Sequence, residues 1–208
     1  MIIELRQYIL LPGRRDELIE LFDRELVEPQ EACGMRILGQ FRDLDRPDRF
    51  VWLRGFTDMR SRPEVLDDFY TGPVWKANSA KANATMVDVS DVLLLRPFGS
   101  FEIPAGSSPD PAYLATIYYR DEPFDENFLA EFNLLVRPLL PSEPLACLRT
   151  EHADNNFPAL PVRTGENVFV FLTRFNSVTE LDDWKHPDTI SLARQEFRLT
   201  PTAGSHLR

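Results

Sequence analysis

Glu4, Arg6 and Tyr8 occupy alternate positions of the opening segment Ile3–Gly13, and Trp52, Arg54 and Phe56 repeat that spacing further on. In an extended strand, alternate side chains share one face, so each set projects a coherent patch. Two guanidiniums near one carboxylate leave positive charge over, which suits bidentate capture of a carboxylate or enolate. A buried phenol beside an arginine can hydrogen-bond a carbonyl, or ionise more readily than in water because the cation favours phenolate. On this chemistry Tyr8 and Arg54 are the candidate catalytic groups. Glu4, Arg6, Trp52 and Phe56 are candidate ligand contacts, joined by Tyr70 and Trp75 around a broken helix near a possible entrance. The alternative is that Glu4 pairs with Arg6 or Arg54 to satisfy a polar lining, and that Trp75 is core.

Three histidines, at 152, 186 and 206, and two cysteines, at 33 and 147, are too far apart in sequence for a recognisable zinc pattern. His152 precedes a long Pro-rich connection, 153–165, of a length often tied to function. It fits a general base or a haem ligand, and also an ordinary surface histidine. His186 and His206 have no evident partner. No G-x-S-x-G elbow or glycine-rich phosphate loop is present. The net charge of −10 repels phosphate, and no run of five basic residues offsets it, which argues against nucleic acid and anionic membranes. No apolar run approaches the roughly 20 residues of a membrane span. Unpaired cysteines and an N-terminus without a signal-peptide pattern suggest a reduced, cytoplasmic protein.

The elements that must position these residues follow from periodicity. After the first strand, helical spacing over Asp16–Val27 ends at Glu28-Pro29. Strands at Gly34–Leu44 and Arg49–Thr57 form a hairpin. Ser61-Arg62-Pro63-Glu64 has the form of a capping box opening a helix, Gly72-Pro73 breaks it, and a second helix precedes a strand at Val87–Arg96. The pattern then restarts: a strand at Tyr113–Arg120, a helix at Asp125–Val136, and strands at Pro144–Glu151 and Asn167–Asn176. Phe50–Phe56 matches Phe169–Phe175, and Ser61-Arg62-Pro63-Glu64 matches Ser177-Val178-Thr179-Glu180, with His186-Pro187 standing where Gly72-Pro73 stood.

The chain therefore divides into domains 1–98 and 113–208, joined by a linker of Gly, Ser and Pro at 99–112. The last strand is ambiguous, at 198–202 or 202–208, because Pro201 interrupts either. The fold class is α+β, two tandem ferredoxin-like (βαββαβ) domains whose open sheet faces pack together or curl into a barrel. With Val51 and Leu53 assigned to the helices, Glu4, Arg6, Tyr8, Trp52, Arg54 and Phe56 are expected on the inward face of that barrel.

Glu4-Leu5-Arg6-Gln7-Tyr8 followed by Leu11-Pro12-Gly13 and an acidic helix resembles the opening of the NIPSNAP family. The strand with Trp52 and Arg54, and Trp75 in a helix leading to Met86, fits the same resemblance. The second half resembles the divergent second copy of bacterial two-domain members. The resemblance implies a dimeric α+β barrel, shared with cofactor-free monooxygenases of antibiotic biosynthesis and haem-binding relatives of chlorite dismutase, and hence a homodimer. It implies no settled activity. The expected function is binding of a small aromatic or carboxylated metabolite in the barrel cavity; whether it is also converted is left open, and conversion would be an oxygenase- or isomerase-like reaction without cofactor, with haem the weaker alternative. The competing expectation is a non-catalytic interaction protein whose barrel serves oligomerisation.

Overall fold

The computed structural model describes residues 1–101 and 109–207. Eight strands, β1 (Ile2–Leu10), β2 (Arg36–Asp43), β3 (Arg49–Phe56), β4 (Met86–Phe101), β5 (Ala112–Arg120), β6 (Ala146–Thr150), β7 (Asn167–Phe175) and β8 (Ala193–Pro201), form one antiparallel sheet. It closes on itself in the order β1-β3-β2-β8-β5-β7-β6-β4. Each half contributes its strands in the order fourth, first, third, second, and the halves join edge to edge at β2–β8 and β4–β6. Closure leaves no free sheet edge.

The helices lie outside the barrel. In the first half α1 (Arg15–Leu21) passes through a π-helical segment, Phe22–Leu26, into α2 (Val27–Ala32), followed later by α3 (Arg62–Thr71) and α4 (Pro73–Asn83). The second half has α5 (Glu126–Leu135) and a short α6 (Val178–Asp183). The helix expected to end at Glu28-Pro29 thus runs on to Ala32. The wide turn there, with Val27 N–H donating to Phe22 C=O, precedes Pro29, whose ring would otherwise crowd the turn before it. Leu18, Phe22, Leu26 and Gln30 are all buried. Four-residue steps drift about 40° each on a regular α-helix, and the wide turn absorbs much of that drift so that Gln30 still faces the sheet.

Ser61 stands at the start of α3, but its hydroxyl bonds Asp58 rather than capping the helix. Ser177 does accept from Glu180 N–H at α6. The last strand begins at Ala193, earlier than expected. Pro201 sits at its end, where a missing N–H costs the ladder least. The tail beyond it turns inward, and Leu207 packs into the barrel against Gly39, where a Cβ would stand 3.1 Å from Leu207 Cδ1 and 2.7 Å from Phe41 Cζ. The middle of the expected linker, 102–108, lies outside the described residues.

Two buried layers result, and they correct the expected facing of the strands. The barrel interior is apolar and shared by both halves: Ile3, Leu5, Val51 and Leu53 meet Ile117, Leu148, Val170 and Leu199 in one cluster. Tyr8, Trp52 and Phe56 instead pack with Leu18, Phe22, Leu66 and Phe69 of the helices. Glu4, Arg6 and Arg54, of the same parity, point that way too. The cause is desolvation. The middle of the barrel, lined by aliphatic side chains, offers little to solvate a charge, so the aliphatic faces of the two halves meet there, the Arg49–Asp43 pair is kept at the ends of β2 and β3, and the Glu4 face turns to the helices.

Because both halves fill one interior, Leu53→Ala should lower stability by about 2–5 kcal/mol while keeping a single cooperative transition. Urea unfolding followed by both fluorescence and circular dichroism checks this; two separated transitions would mean that the halves do not share a core.

Candidate functional site

The polar side chains of β1 and β3 meet because the strand register sets Glu4 opposite Arg54 and Arg6 opposite Trp52. Glu4, Arg6, Arg54 and Arg62 are all fully buried. The Glu4 carboxylate is shared three ways. Oε2 accepts from Arg6 Nη1 at 2.6 Å and Arg54 Nε at 2.7 Å, and Oε1 accepts from Arg62 Nε at 2.8 Å and Nη2 at 2.7 Å. Burial alone would raise the Glu4 carboxyl, but Arg54, Arg6 and Arg62 outweigh it and hold it well below the usual carboxylate range. Arginine does not lose its proton in proteins, so the cluster carries three positive charges against one negative.

Around it, Arg6 Nε donates to Tyr8 Oη at 3.1 Å. Arg54 Nη1 reaches Tyr70 Oη at 3.3 Å and Gln30 Oε1 at 3.4 Å. The Arg6 and Arg54 guanidiniums lie 5.5 and 5.3 Å from the Trp52 ring centroid, and Arg54 and Arg62 lie 5.4 and 5.7 Å from that of Phe56, distances at which a ring face attracts a cation. Trp75 stands edge-on to Tyr70 at 5.0 Å. All eight residues expected from sequence are therefore brought together, although in the sheet–helix layer and not in the barrel. Three of their donors, Arg6 Nη2, Arg54 Nη2 and Trp52 Nε1, are buried with no partner among the described residues.

Of the two roles open to Tyr8, the burial favours hydrogen bonding over ionisation. Burial raises its phenol above the usual value, and Arg6 and Arg54 only partly offset this. Tyr8 therefore stays a neutral phenol at physiological pH and is suited to hydrogen bonding.

Arg62, and Asn155, Asn156 and Phe157 within the long connection after β6, are the residues that sequence reasoning missed. Arg62 is the first residue of α3, inside a stretch that reads as a helix start. Its one further signal is a basic residue in the helix's first turn, where acids are favoured. The connection leaves and rejoins β4, with Glu151 N–H donating to Leu94 C=O and Arg163 N–H to Val92 C=O, both at 2.8 Å. Between those points it crosses to the first half. Asn155 Oδ1 and Asn156 Oδ1 accept from Arg62 Nη1 at 3.0 and 2.9 Å, and Phe157 stacks on Tyr70 with ring centroids 6.3 Å apart. His152, at its start, is exposed beside a cleft of about 220 Å³ bordered by Leu94, Asn155 and Arg163. Among the described residues no group of three or more His, Cys, Asp and Glu could hold a metal ion. No helix among them is long and apolar enough to cross a membrane.

Two βαββαβ halves closed into one barrel, with helices outside, make an α+β barrel. Residues 3–100, just under half of the chain, match the NIPSNAP family model. No curated protein matches the sequence. Among solved structures, a NIPSNAP-like domain protein from Burkholderia xenovorans is 26% identical, over 52% of this chain and 95% of its own, with a TM-score of 0.45. Two proteins described as candidate monooxygenases resemble the whole chain. The one from Fusobacterium nucleatum is 9% identical, over 96% of this chain and 91% of its own, with a TM-score of 0.61. The one from Lactobacillus acidophilus is 12% identical, over 100% and 98%, with a TM-score of 0.58. At these identities the likeness is one of fold.

Glu4→Gln would leave three buried guanidiniums without a counter-ion and should cost about 3–5 kcal/mol. The pH dependence has a definite sign. A carboxyl depressed in the folded state contributes stability above its ordinary value, 4.5, and loses it as pH falls below that toward the folded value. Denaturant unfolding from pH 7 to pH 3 should show a smaller acid-induced loss for Glu4→Gln than for the wild type; an equally steep loss would assign acid sensitivity to other carboxylates.

Proposed function

We propose that the first half binds a small aromatic or carboxylated metabolite in the layer between β1/β3 and the helices, within a chain built of two ferredoxin-like halves. The observation that carries this reading is the pairing of surplus charge with unused donors. Arg6 Nη2, Arg54 Nη2 and Trp52 Nε1 are buried and unpartnered beside a cluster with two positive charges over. Such groups are costly unless something accepts from them. A carboxylate or enolate supplies both the acceptor atoms and the charge, and Trp52, Phe56, Tyr70 and Trp75 supply ring faces for an aromatic body.

For conversion, Arg54 is the group placed to stabilise negative charge developing on an enolate, and Tyr8 the neutral phenol that hydrogen-bonds the carbonyl oxygen. This is isomerase- or oxygenase-like chemistry that asks for no cofactor. Haem is the weaker alternative, because His152 borders a cleft of about 220 Å³, below the usual range of about 300–1,000 Å³ for ligand pockets.

Benzoate is a suitable probe. Calorimetry should register saturable binding at neutral pH, weakened about tenfold in Trp52→Phe, which keeps a ring and removes one donor. Equal affinity in that variant, or no binding by benzoate and a panel of substituted benzoates, would overturn the assignment.

The second reading is an interaction protein that forms a homodimer. It is favoured by Leu134 and Leu139, 74% and 52% exposed at the end of α5, with Leu135 beside them. If they form the dimer face, Leu134→Glu with Leu139→Glu should shift a dimer to monomer in sedimentation equilibrium and leave benzoate binding intact. A wild type already monomeric at high concentration would remove this reading.

A further inference from the structure

The β6–β7 connection, residues 151–166, stands where the first half has only the short β2–β3 turn, 44–48. Its added length serves the other half of the molecule. By strand register, Leu114 and Thr173 of the second half occupy the positions of Glu4 and Arg54 in the first, so that ion pair has no counterpart on the loop's own side. The loop reaches instead over the first half's cluster.

Both ends are tied to one short stretch of β4. Glu151 N–H bonds Leu94 C=O and Arg163 N–H bonds Val92 C=O, two residues apart on the strand, or about 7 Å. A loop whose ends lie this close is an Ω-loop, and it can swing without disturbing the chain before and after it. It also holds its own shape. Asn155 Nδ2 donates to Leu160 C=O at 2.8 Å, Asn155 Oδ1 accepts from Phe157 N–H at 3.1 Å, and Leu160 N–H donates to Phe157 C=O at 3.1 Å. Between its two legs, residues 150–155 and 162–166, a cleft of about 220 Å³ stays open, so the loop spans a gap instead of filling it.

Between the anchors, its hydrogen bonds to the first half come from the side chains of Asn155 and Asn156, and half-buried Phe157 and Leu160 pack on the helix layer. The amides hold Arg62. Glu4 Oε1 accepts from its Nε and Nη2, and Nη1 donates to Asn155 Oδ1 and Asn156 Oδ1. Each Asn Nδ2 donates to a carbonyl, that of Leu160 or Met59, which fixes both oxygens toward the guanidinium. Two neutral oxygens therefore face a cation within a cluster that has two positive charges over. A carboxylate supplies an acceptor there together with the negative charge the amides lack. Both residues under the loop adjoin the unpartnered donors. Arg62 shares Glu4 with Arg6 and Arg54, and Tyr70, on which Phe157 stacks, bonds Arg54 Nη1 through its hydroxyl.

We propose that residues 151–163 form a strap that gates the first-half site: the two asparagine oxygens on Arg62 hold it shut, and it swings aside to admit a ligand whose carboxylate first meets the freed Arg62 Nη1. The inference rests on the anion-binding reading of the first half and adds to it a route of entry. The second half thereby controls access to the first.

Asn156→Ala is the discriminating variant, because Asn156 is exposed and its bonds go to Arg62 and Met59, not within the strap. Leu160→Cys in a Cys33→Ser background, where the remaining Cys147 is buried, reports opening without ligand. Its thiol reacts with N-ethylmaleimide, a neutral reagent, when the strap swings out. Asn156→Ala should raise that rate about tenfold; an unchanged rate would overturn the latch. Entry is followed by stopped-flow tryptophan fluorescence with benzoate. Asn156→Ala should speed binding and release each about tenfold and leave Kd within about twofold, as a gate requires. Faster labelling with unaltered binding and release rates would reduce the strap to a cover on the seam and overturn the gate. If benzoate binds neither protein, the anion reading fails, and the labelling rate still decides the latch.

Discussion

Glu4 is the one carboxylate that Arg6, Arg54 and Arg62 reach among the described residues, and much of the first half is arranged around that shortage. Each guanidinium must find further acceptors, and each finds them on a different element. Arg6 uses Tyr8 on its own strand, Arg54 uses Gln30 on α2 and Tyr70 on α3, and Arg62 uses the asparagines of a connection from the second half. One buried ion cluster thus ties together β1, β3, two helices and a distant segment. Such a cluster is a poor source of net stability beside well-packed apolar groups. Its presence is better understood as holding donors in place.

Alternation along β1 and β3 makes it legible from sequence that Glu4, Arg6, Tyr8, Trp52 and Arg54 share a surface. It does not say which side of the sheet that surface occupies, since both faces of these strands are buried. What decides the matter is the partner layer. The odd-numbered aliphatics of β1 find their complement in Ile117, Val170 and Leu199, more than 100 residues away in the chain, and that pairing is a property of the closed barrel. Local pattern could not reveal it.

Arg62 and the asparagines were hidden for a related reason. Helix-start signals and loop composition describe what a segment does to its own backbone, whereas these side chains act across the barrel seam. Length singles out the segment 153–165, and residue type singles out His152 at its head. Its two amides, Asn155 and Asn156, are the groups that reach the first half. The early start of β8 has a simpler origin. Arg194, Glu196 and Arg198 make the strand too polar to read as one, because its outer face borders an open cleft rather than a helix.

A barrel assembled from two identical chains must present the same sheet–helix layer twice, because symmetry copies every substitution into both. Here the seams between β2 and β8 and between β4 and β6 join two different sequences. A change at Glu4 has no obligatory echo at Leu114, and one layer can accumulate charge while the other sheds it. Covalent linkage of the halves therefore confers an evolutionary freedom: two sheet–helix layers of different composition, carried at fixed one-to-one ratio on one shared apolar core.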